Sequence, residues 1–199
     1  MDRETLRVYD EGAAGFAADW EDAQAAPDDL RAAVRTHFAP GPTVDVGCGS
    51  GRDTAWLVEA GFDAFGVDAS PGLLAEARRR HPGVRFEQDA LPALASLGSG
   101  RFTNVLCETV IMHLDRADIA PAVRRLAALL APGGTLYLTW RVTEGGDARD
   151  KAGRLYASFD PTLVRDALAG MEIRLDERSV SASSGRIVHR MVARRRAQG

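Results

Sequence analysis

Residues 43–54 read TVDVGCGSGRDT, a strand-like run that leads directly into a glycine-rich turn. The apolar residues of TVDV predict a buried strand, and Gly47, Gly49 and Gly51 predict a tight turn before a helix. Glycine lets the backbone turn sharply and come close to a ligand, and a helix start presents free N–H groups to polar atoms. In an open α/β sheet, ligands bind in the crevice outside the carboxyl ends of the strands. The stretch therefore predicts a ligand-binding turn after the first strand of an α/β sheet.

The spacing of the glycines distinguishes this turn from two common phosphate-binding loops. The dinucleotide fingerprint, G-x-G-x-x-G, needs its third glycine at position 52, where Arg52 stands. The sequence has G-x-G-x-G instead, and the G-K-[ST] of a P-loop does not follow. An arginine stands where helix and strand must pack closely. The spacing therefore disfavours an NAD-dependent oxidoreductase, which we keep as an alternative interpretation.

Beyond the glycine turn, the chain alternates between strand-like and helical runs. The predicted strands are 43–46, 63–68, 84–88, 102–108 and 134–140, and the predicted helices lie near 52–60, 71–80 and 117–130. Strand–helix–strand repetition of this kind forms a parallel sheet with right-handed crossovers. We expect a single domain over 1–199, with a ligand-binding core over 43–140.

The two ends of the chain differ in character from this core. Residues 1–38 predict an N-terminal helical cap placed before the first strand. Residues 155–196 predict a helix near 161–169, followed by two strand-like runs joined by the loop SASSG. A serine- and glycine-rich loop between two such runs is typical of an antiparallel hairpin. The hairpin is expected at one edge of the sheet.

The composition is typical of a soluble globular protein. Hydrophobic residues make up 45% and charged residues 27% of the 199 residues, with a net charge of −3. No apolar run approaches the ~20 residues of a membrane span, and the N-terminus lacks the apolar core of a signal peptide. The two cysteines, Cys48 and Cys107, form no disulfide framework or metal-spaced cluster, so we expect a reducing cytoplasm. Lys151 is the only lysine beside 24 arginines, which favours a GC-rich bacterial source.

Charge is unevenly distributed along the chain. Residues 1–30 hold nine acidic and two basic residues, whereas residues 185–199 hold five arginines and no acid. A basic end is compatible with nucleic-acid binding. We prefer an arginine-bearing edge strand with a solvated tail, and therefore expect neither a nucleic-acid nor a membrane partner.

Asp68 ends the second predicted strand, 21 residues after Gly47. A carboxylate at this point can accept hydrogen bonds from two ribose hydroxyls. The structural alternative is a tight turn followed by a surface aspartate. Together, the glycine turn and the acid predict a site for a ligand that contains a ribose.

Five segments of the chain, taken in order, resemble the class I S-adenosylmethionine-dependent methyltransferases. They are VDVGCGSG (44–51), GVDAS (66–70), QDA (88–90), CETVIMHL (107–114) and LLAPGGTLYLTW (129–140). The resemblance covers residues 43–140. It implies a doubly wound α/β fold with a seven-stranded, mostly parallel sheet, in which the C-terminal hairpin inserts its last strand as the one antiparallel member. It also implies S-adenosyl-L-methionine as the cofactor and S-adenosyl-L-homocysteine as the product.

The resemblance assigns cofactor contacts to nine residues: Asp45, Gly47, Gly49, Gly51, Asp68, Ala69, Asp89, Ala90 and Cys107. In this assignment the three glycines line the methionine part, and Asp45 orients the loop and meets the cofactor amine through water or backbone. Asp68 holds the ribose, with Ala69 beside the adenine, and Cys107 ends the fourth strand. Asp89 and Ala90 hold the adenine edge. For Asp89, the alternative is a cap on the following turn.

Two residues near the expected methyl-transfer position are candidates for catalysis. Glu108 can bind the cofactor, receive a cationic amine or accept a proton, and the alternative is an exposed loop acid. His113 can be a general base, a metal ligand or a histidine hydrogen-bonded to the backbone. Some related quinone O-methyltransferases carry E-x-x-E-H here with a divalent metal. The corresponding residues 109–113 read TVIMH and lack both acids, so no metal is predicted.

The acceptor is expected between strand ends and the N-terminal helices. Tyr9, Phe16 and Trp20 follow one another at spacings of seven and four, which places them on one helical face. They form either part of the core or a lid over the cofactor. Tyr9 and Trp20, together with Trp140 and Arg141 at the end of the predicted strand 134–140, are the candidate substrate-binding residues.

These features together predict a methyltransferase that acts on a small molecule, with oxygen or nitrogen favoured as the accepting atom and sulfur possible. The [DN]-P-P-[YF] motif of many base and amide methylases is missing after strand 102–108, which disfavours nucleic acid as acceptor. The alternative is a non-catalytic module or partner subunit that binds S-adenosylmethionine or a nucleotide. The oligomeric state is not predicted.

Overall fold

The computed structural model describes residues 1–197, so that Gln198 and Gly199, the end of the expected 1–199 domain, lie outside the described residues. The helices are α1 (Arg3–Glu11), α2 (Ala13–Ala18), a π-helical turn (Asp19–Ala23), α3 (Asp28–His37), α4 (Arg52–Glu59), α5 (Pro71–Arg80), a 3-10 turn (Ile111–His113), α6 (Arg116–Leu129) and α7 (Thr162–Ala167). The strands are β1 (Pro42–Val46), β2 (Asp63–Asp68), β3 (Phe86–Gln88), β4 (Phe102–Cys107), β5 (Leu130–Arg141), β6 (Ala148–Arg149), β7 (Leu155–Tyr156), β8 (Glu172–Val180) and β9 (Ile187–Arg194).

Seven of the strands form one sheet in the order β3-β2-β1-β4-β5-β9-β8. The pairs among β1 to β5 are parallel. Strand β9 runs antiparallel to both of its neighbours, β5 and β8. This confirms the doubly wound, mostly parallel sheet in which the last strand of the C-terminal hairpin is inserted as the antiparallel member. The helical cap before β1 is confirmed as well.

The composition of the hairpin strands accounts for their order in the sheet. Strand β9 is almost entirely buried, and Val188, Met191 and Val192 are each at most 1% exposed. Strand β8 is mostly exposed and carries several charged side chains, which protect an open sheet edge from pairing with another chain. The apolar strand therefore lies inside the sheet and the charged strand lies at its edge.

Element boundaries differ from the prediction at a few positions. The third strand begins at Phe86 rather than at residue 84. Helix α6 ends at Leu129, and β5 already begins at Leu130 because the residue before Pro132 is disfavoured in helical conformation. Strands β6 and β7 pair with each other and have two residues each, too short for a period-2 pattern to be visible in the sequence.

Helices cover both faces of the sheet. On one face, Leu126 of α6 and Val164 of α7 share a hydrophobic cluster with Leu136 and Leu138 of β5. On the other face, Tyr137 of β5 belongs to a cluster with residues of α3 and α4, as expected from the alternation of side chains along a strand. No helix in the described part of the chain is long and apolar enough to cross a membrane.

Candidate functional site

A cavity of about 460 Å³ lies at the carboxyl ends of β1, β2, β4 and β5. Residues that follow or end these four strands form its floor, and side chains of α1, α2 and the π-helical turn cover it from the N-terminal side. Its volume falls within the range of small-molecule sites, about 300–1,000 Å³. Its position is the one expected for a ligand in a doubly wound sheet.

The glycine turn between β1 and α4 is held in a backbone conformation that requires glycine. Gly49 has φ +56°, in the left-handed region that side chains rarely adopt. A Cβ atom at this position would lie 2.9 Å from Cζ3 of Trp20. Gly47 and Gly51 also have positive φ values, +77° and +88°. The turn is therefore bare backbone facing the cavity, and a side chain at Gly49 would collide with the aromatic ring above it.

Asp68 joins the glycine turn to the end of β2. Its Oδ2 accepts a hydrogen bond from the Gly49 N–H at 2.9 Å, and its Oδ1 accepts one from the Ser70 N–H at 2.9 Å. The residue is only 9% exposed, and burial raises the pKa of the carboxyl while the Ser70 and Gly49 N–H groups oppose the rise. Each carboxylate oxygen can accept a further hydrogen bond, so Asp68 can still bind two hydroxyls of a ligand in the cavity.

Asp45 lies beneath the turn at the end of β1 and is 3% exposed. Its Oδ2 accepts a hydrogen bond from the Thr54 hydroxyl of α4 at 2.6 Å. Burial raises the pKa of Asp45 to about 8, with the negative charge of Asp53 as the next contribution. This carboxyl ties β1 to α4 and fixes the start of the helix against the turn.

Glu108 forms part of the cavity floor directly after β4. Its Oε2 accepts a hydrogen bond from the Thr139 hydroxyl of β5 at 2.6 Å, and the Thr109 N–H donates to the same hydroxyl oxygen at 2.9 Å. Thr109 has φ +54°, a strained conformation for a β-branched residue. Burial raises the pKa of Glu108 to about 7, while the Thr139 hydroxyl opposes the rise. A carboxyl with this pKa can accept or release a proton near neutral pH.

His113 is held at both ring nitrogens. The Leu155 carbonyl lies 2.5 Å from Nδ1 and can only accept, so Nδ1 carries the proton. Nε2 then accepts from the Tyr9 hydroxyl at 3.0 Å, and Arg154 donates to the Tyr9 oxygen at 3.2 Å. Burial lowers the pKa of His113 to about 4, which keeps the ring neutral at pH 7. His113 therefore connects the 3-10 turn to β7 and to α1.

Aromatic rings form the roof of the cavity. The centroids of Tyr9 and Phe16 are 5.0 Å apart, and those of Phe16 and Trp20 are 5.6 Å apart. The Arg154 guanidinium lies 4.9 Å from the Phe16 ring centroid. Arg52 of α4 donates to the Trp20 carbonyl at 3.0 Å. This hydrogen bond joins the π-helical turn to the start of α4, directly after the glycine turn. The structure thus places these rings over the cavity, the position described above as a lid.

The structure brings nine of the predicted site residues together in the cavity wall: Tyr9, Trp20, Asp45, Gly47, Gly49, Asp68, Glu108, His113 and Arg141. The remaining predicted residues are not part of that wall: Gly51, Ala69, Asp89, Ala90, Cys107 and Trp140. Cys107 is fully buried among hydrophobic residues, and burial raises the pKa of its thiol.

Asp89 and Trp140 make contacts away from the cavity wall. The Asp89 carboxylate accepts hydrogen bonds from the Ala90 N–H at 2.7 Å and from the Ser96 N–H at 2.8 Å. It therefore caps the turn that follows β3, the arrangement given above as the alternative to an adenine contact. Trp140 stacks on His189 with centroids 4.5 Å apart, and both line a second cavity of about 330 Å³.

Several cavity residues were missed by the sequence analysis. Arg154 and Tyr156 come from the β6–β7 hairpin, and Ser181 and Arg186 come from the tip of the β8–β9 hairpin. These segments carry no motif. One signal existed for the second hairpin: a strand that runs antiparallel to β5 begins where β5 ends, so its preceding turn must lie at the ligand-binding edge. Within residues 1–197, no three His, Cys, Asp or Glu side chains form a metal-binding group.

Residues 43–134 match a family model described as "Methyltransferase domain". The chain is 44% identical over 102 residues to trans-aconitate 2-methyltransferase of Methylobacterium nodulans, a match that covers 49% of this chain and 37% of that protein. It is 40% identical over 111 residues to ubiquinone biosynthesis O-methyltransferase of Methylococcus capsulatus, covering 53% of this chain and 46% of that protein. The matched stretch therefore spans less than half the length of each of these curated relatives.

Solved structures resemble the chain over nearly its full length. The 1,6-didemethyltoxoflavin-N1-methyltransferase of Burkholderia thailandensis, with bound 1,6-didemethyltoxoflavin and S-adenosylhomocysteine, has a TM-score of 0.76 and 25% identity. The alignment covers 97% of this chain and 88% of that one. Magnesium protoporphyrin IX methyltransferase from Synechocystis, with bound S-adenosylmethionine, has a TM-score of 0.74, covers 98% of each chain and, at 21% identity, shows the shared fold.

Proposed function

We propose that this chain transfers a methyl group from S-adenosylmethionine to a small-molecule acceptor through an oxygen or nitrogen atom, a proposal supported by the match of residues 43–134 to a methyltransferase-domain model and by the similarity of the chain to S-adenosylmethionine-dependent methyltransferases. The observation that carries the proposal is the convergence of the glycine turn, Asp68 and Glu108 on one cavity at the carboxyl ends of the strands. These features lie at the ends of three different strands. We assign the glycine turn to the methionine part of the cofactor, Asp68 to its ribose and Glu108 to the proton of the acceptor.

The residues of the cavity fit this cofactor. Gly49 leaves bare backbone at the cavity, and the Trp20 ring lies against it, 2.9 Å from the position that a Cβ would take. The nearly buried Asp68 carboxylate retains acceptor capacity for two hydroxyls, which matches a ribose. When bound, S-adenosylmethionine supplies a methyl group on a positively charged sulfur. Asp45, Asp68 and Glu108 place carboxyl groups around the cavity that receives this charge.

Glu108 is positioned to take the proton that an O–H or N–H acceptor gives up when its lone pair bonds to the methyl carbon. Burial raises its pKa to about 7, so the ionised carboxylate is accessible near neutral pH. The Thr139 hydroxyl fixes one oxygen at 2.6 Å, which leaves the other oxygen for the acceptor. The remaining task of the protein is alignment of acceptor, methyl group and sulfur, since proximity and orientation carry much of the rate. The aromatic roof serves this purpose by covering the reactants.

The test combines binding and turnover. Calorimetric titration with S-adenosylmethionine and S-adenosylhomocysteine is expected to show a single site. Transfer of labelled methyl is then measured with a panel of acids, hydroxyl compounds and amines that includes trans-aconitate, chosen because curated relatives are trans-aconitate 2-methyltransferases. Cofactor binding without transfer to any acceptor would support a non-catalytic binding module. Binding of NADH in place of S-adenosylmethionine would contradict the proposal altogether.

A further inference from the structure

Arg141 ends β5 and contributes a half-buried guanidinium group to the cavity wall. Its guanidinium carbon lies 4.7 Å from the centroid of the Tyr156 ring. Stacking on an aromatic face positions a guanidinium while leaving its in-plane N–H donors free for a ligand.

The four arginines that line the cavity differ in what they already bind. Arg52 forms an ion pair with Asp53 and donates to the Trp20 carbonyl. Arg154 forms an ion pair with Asp150. Within residues 1–197, the guanidinium groups of Arg141 and Arg186 form neither an ion pair nor a hydrogen bond, and Arg186 is exposed. Arg141 is therefore the cavity arginine that combines partial burial with unused donors.

The strand register relates Arg141 to Glu108. Residues two apart on a strand project to the same face, so Arg141 follows Thr139 on the face that lines the cavity, while Trp140 faces the second cavity. The Thr139 hydroxyl is the hydrogen-bond donor to Glu108. Two residues of a strand span about 6.6–6.8 Å. Arg141 thus lies at the same end of β5 as the Thr139–Glu108 hydrogen bond.

The hairpin tip closes this end of the cavity. Arg141 pairs with Val188 in the sheet, and the Val142 N–H donates to the Ile187 carbonyl at 3.0 Å. This places the turn that contains Ser181, and the exposed Arg186 that follows it, next to Arg141. The surroundings add hydroxyl groups and a second positive charge, and no carboxylate of residues 1–197 forms an ion pair with the Arg141 guanidinium.

We propose that Arg141 binds a carboxylate of the methyl acceptor, so that the substrate class is a small organic acid whose accepting atom lies beside Glu108. The proposal rests on the proposed function, since it concerns the second substrate of that reaction. A planar carboxylate matches the fork of an arginine in two parallel hydrogen bonds, which are charge-assisted. An amine or other cation is disfavoured at this end of the cavity by Arg141 and Arg186.

The experiment measures binding of matched acid and amide probes to the protein saturated with S-adenosylhomocysteine. Trans-aconitate and benzoate are titrated calorimetrically beside trans-aconitamide and benzamide. We expect at least one acid to bind at least tenfold more tightly than its amide. In Arg141→Gln this acid is expected to lose at least tenfold in affinity, and Arg141→Lys, which keeps the charge without the fork, is expected to be intermediate.

Arg124→Gln is the matched control, because Arg124 is an exposed arginine of α6 that does not line the cavity. It is expected to leave acid binding unchanged. Affinity for S-adenosylhomocysteine is expected to stay the same in all three variants, which also shows that they are folded. If the wild-type protein does not bind S-adenosylhomocysteine, the proposed function fails. If it binds but the acids bind no better than the amides, or if Arg141→Gln and Arg124→Gln behave alike, the organic-acid proposal is wrong while the function stands.

Discussion

At the scale of single residues, three carboxyl groups in one cavity are kept in different states by their surroundings. Asp45 is buried against a hydroxyl donor, and its pKa rises to about 8. Asp68 accepts two backbone N–H donors that oppose the effect of burial on its pKa. Glu108 has a pKa of about 7, and the Thr139 hydroxyl binds one of its oxygens and leaves the other for an acceptor. Desolvation and hydrogen bonding thus give the three acids different tasks.

Replacement of Glu108 by glutamine tests the proton-accepting role. Glu108→Gln keeps the shape and removes the base, so we expect kcat/KM to fall by about 10²–10⁴-fold, with nearly constant affinity for S-adenosylmethionine. In the wild-type protein, the ionised carboxylate is the active form, so kcat/KM is expected to decrease as pH falls through about 7. This decrease should be missing in the variant. A loss of cofactor affinity along with activity would place Glu108 in the cofactor site instead.

Thr139→Val is the companion variant, since it retains the carboxylate and removes its hydrogen-bond donor. Because that donor lowers the pKa of Glu108, its removal is expected to shift the pH profile toward higher pH. An unchanged profile would contradict the assignment of the titration to Glu108.

Asp68 is expected to bind the cofactor ribose. Asp68→Ala removes charge-assisted hydrogen bonds that are worth about 1.5–3 kcal/mol each, so affinity for S-adenosylhomocysteine should fall at least tenfold. Asp63→Ala, at the exposed opposite end of β2, is the control and should bind normally. Equal affinities in the two variants, measured by calorimetry, would contradict the ribose assignment.

At the scale of elements, the site is built from segments that the sequence reveals to different degrees. The glycine turn, Asp68 and Glu108 could be predicted, because a ligand-binding turn requires particular residue types at fixed distances from strand ends. The contacts of Asp89 could not be resolved, since an acid after a strand can face a ligand or cap a turn, and only the folded loop shows the bonds to Ala90 and Ser96. Arg154 was missed because it lies in a loop directly before a strand of only two residues, which leaves no periodic pattern.

The glycine turn can be tested with two valine substitutions that carry a similar backbone strain. Gly49→Val places a branched side chain against Trp20 and the cavity, so cofactor binding is expected to be lost. Gly61→Val has a comparable positive φ of +92° but no atom within 4 Å of its Cβ. It should lose about 1–2 kcal/mol of stability from the backbone strain and still bind. If both variants bind S-adenosylhomocysteine equally well, the turn does not approach the cofactor.

At the scale of the whole molecule, the inserted strand β9 joins the parallel part of the sheet to its edge. It pairs with β5 over seven residues and with β8 over eight. Sequence patterns predicted a hairpin here, and its insertion was implied by the family resemblance. The period-2 pattern alone does not specify which hairpin strand lies inside. Burial decides the order, since β9 can be covered on both faces and the charged β8 cannot.

Two substitutions in β9 separate its buried and exposed ends. Met191 is 1% exposed within the main hydrophobic cluster, so Met191→Ala is expected to lower the free energy of unfolding by about 2–5 kcal/mol. Ile187 begins the same strand and is 50% exposed. Ile187→Ala should cost less than about half as much. Urea unfolding monitored by circular dichroism measures both, and equal losses would contradict the interior position of β9.

The packing of Trp20 on the glycine turn gives the molecule a built-in optical reporter. The chain has three tryptophans, of which Trp56 and Trp140 are 9% and 2% exposed, whereas Trp20 is half-buried at the cavity. A ligand that enters beside Gly49 changes the polarity around this indole and should shift or quench its fluorescence. Trp20→Phe should abolish the response while leaving calorimetric binding measurable. Rapid-mixing fluorescence could then follow cofactor entry and product release in the unlabelled protein, without any coupled assay.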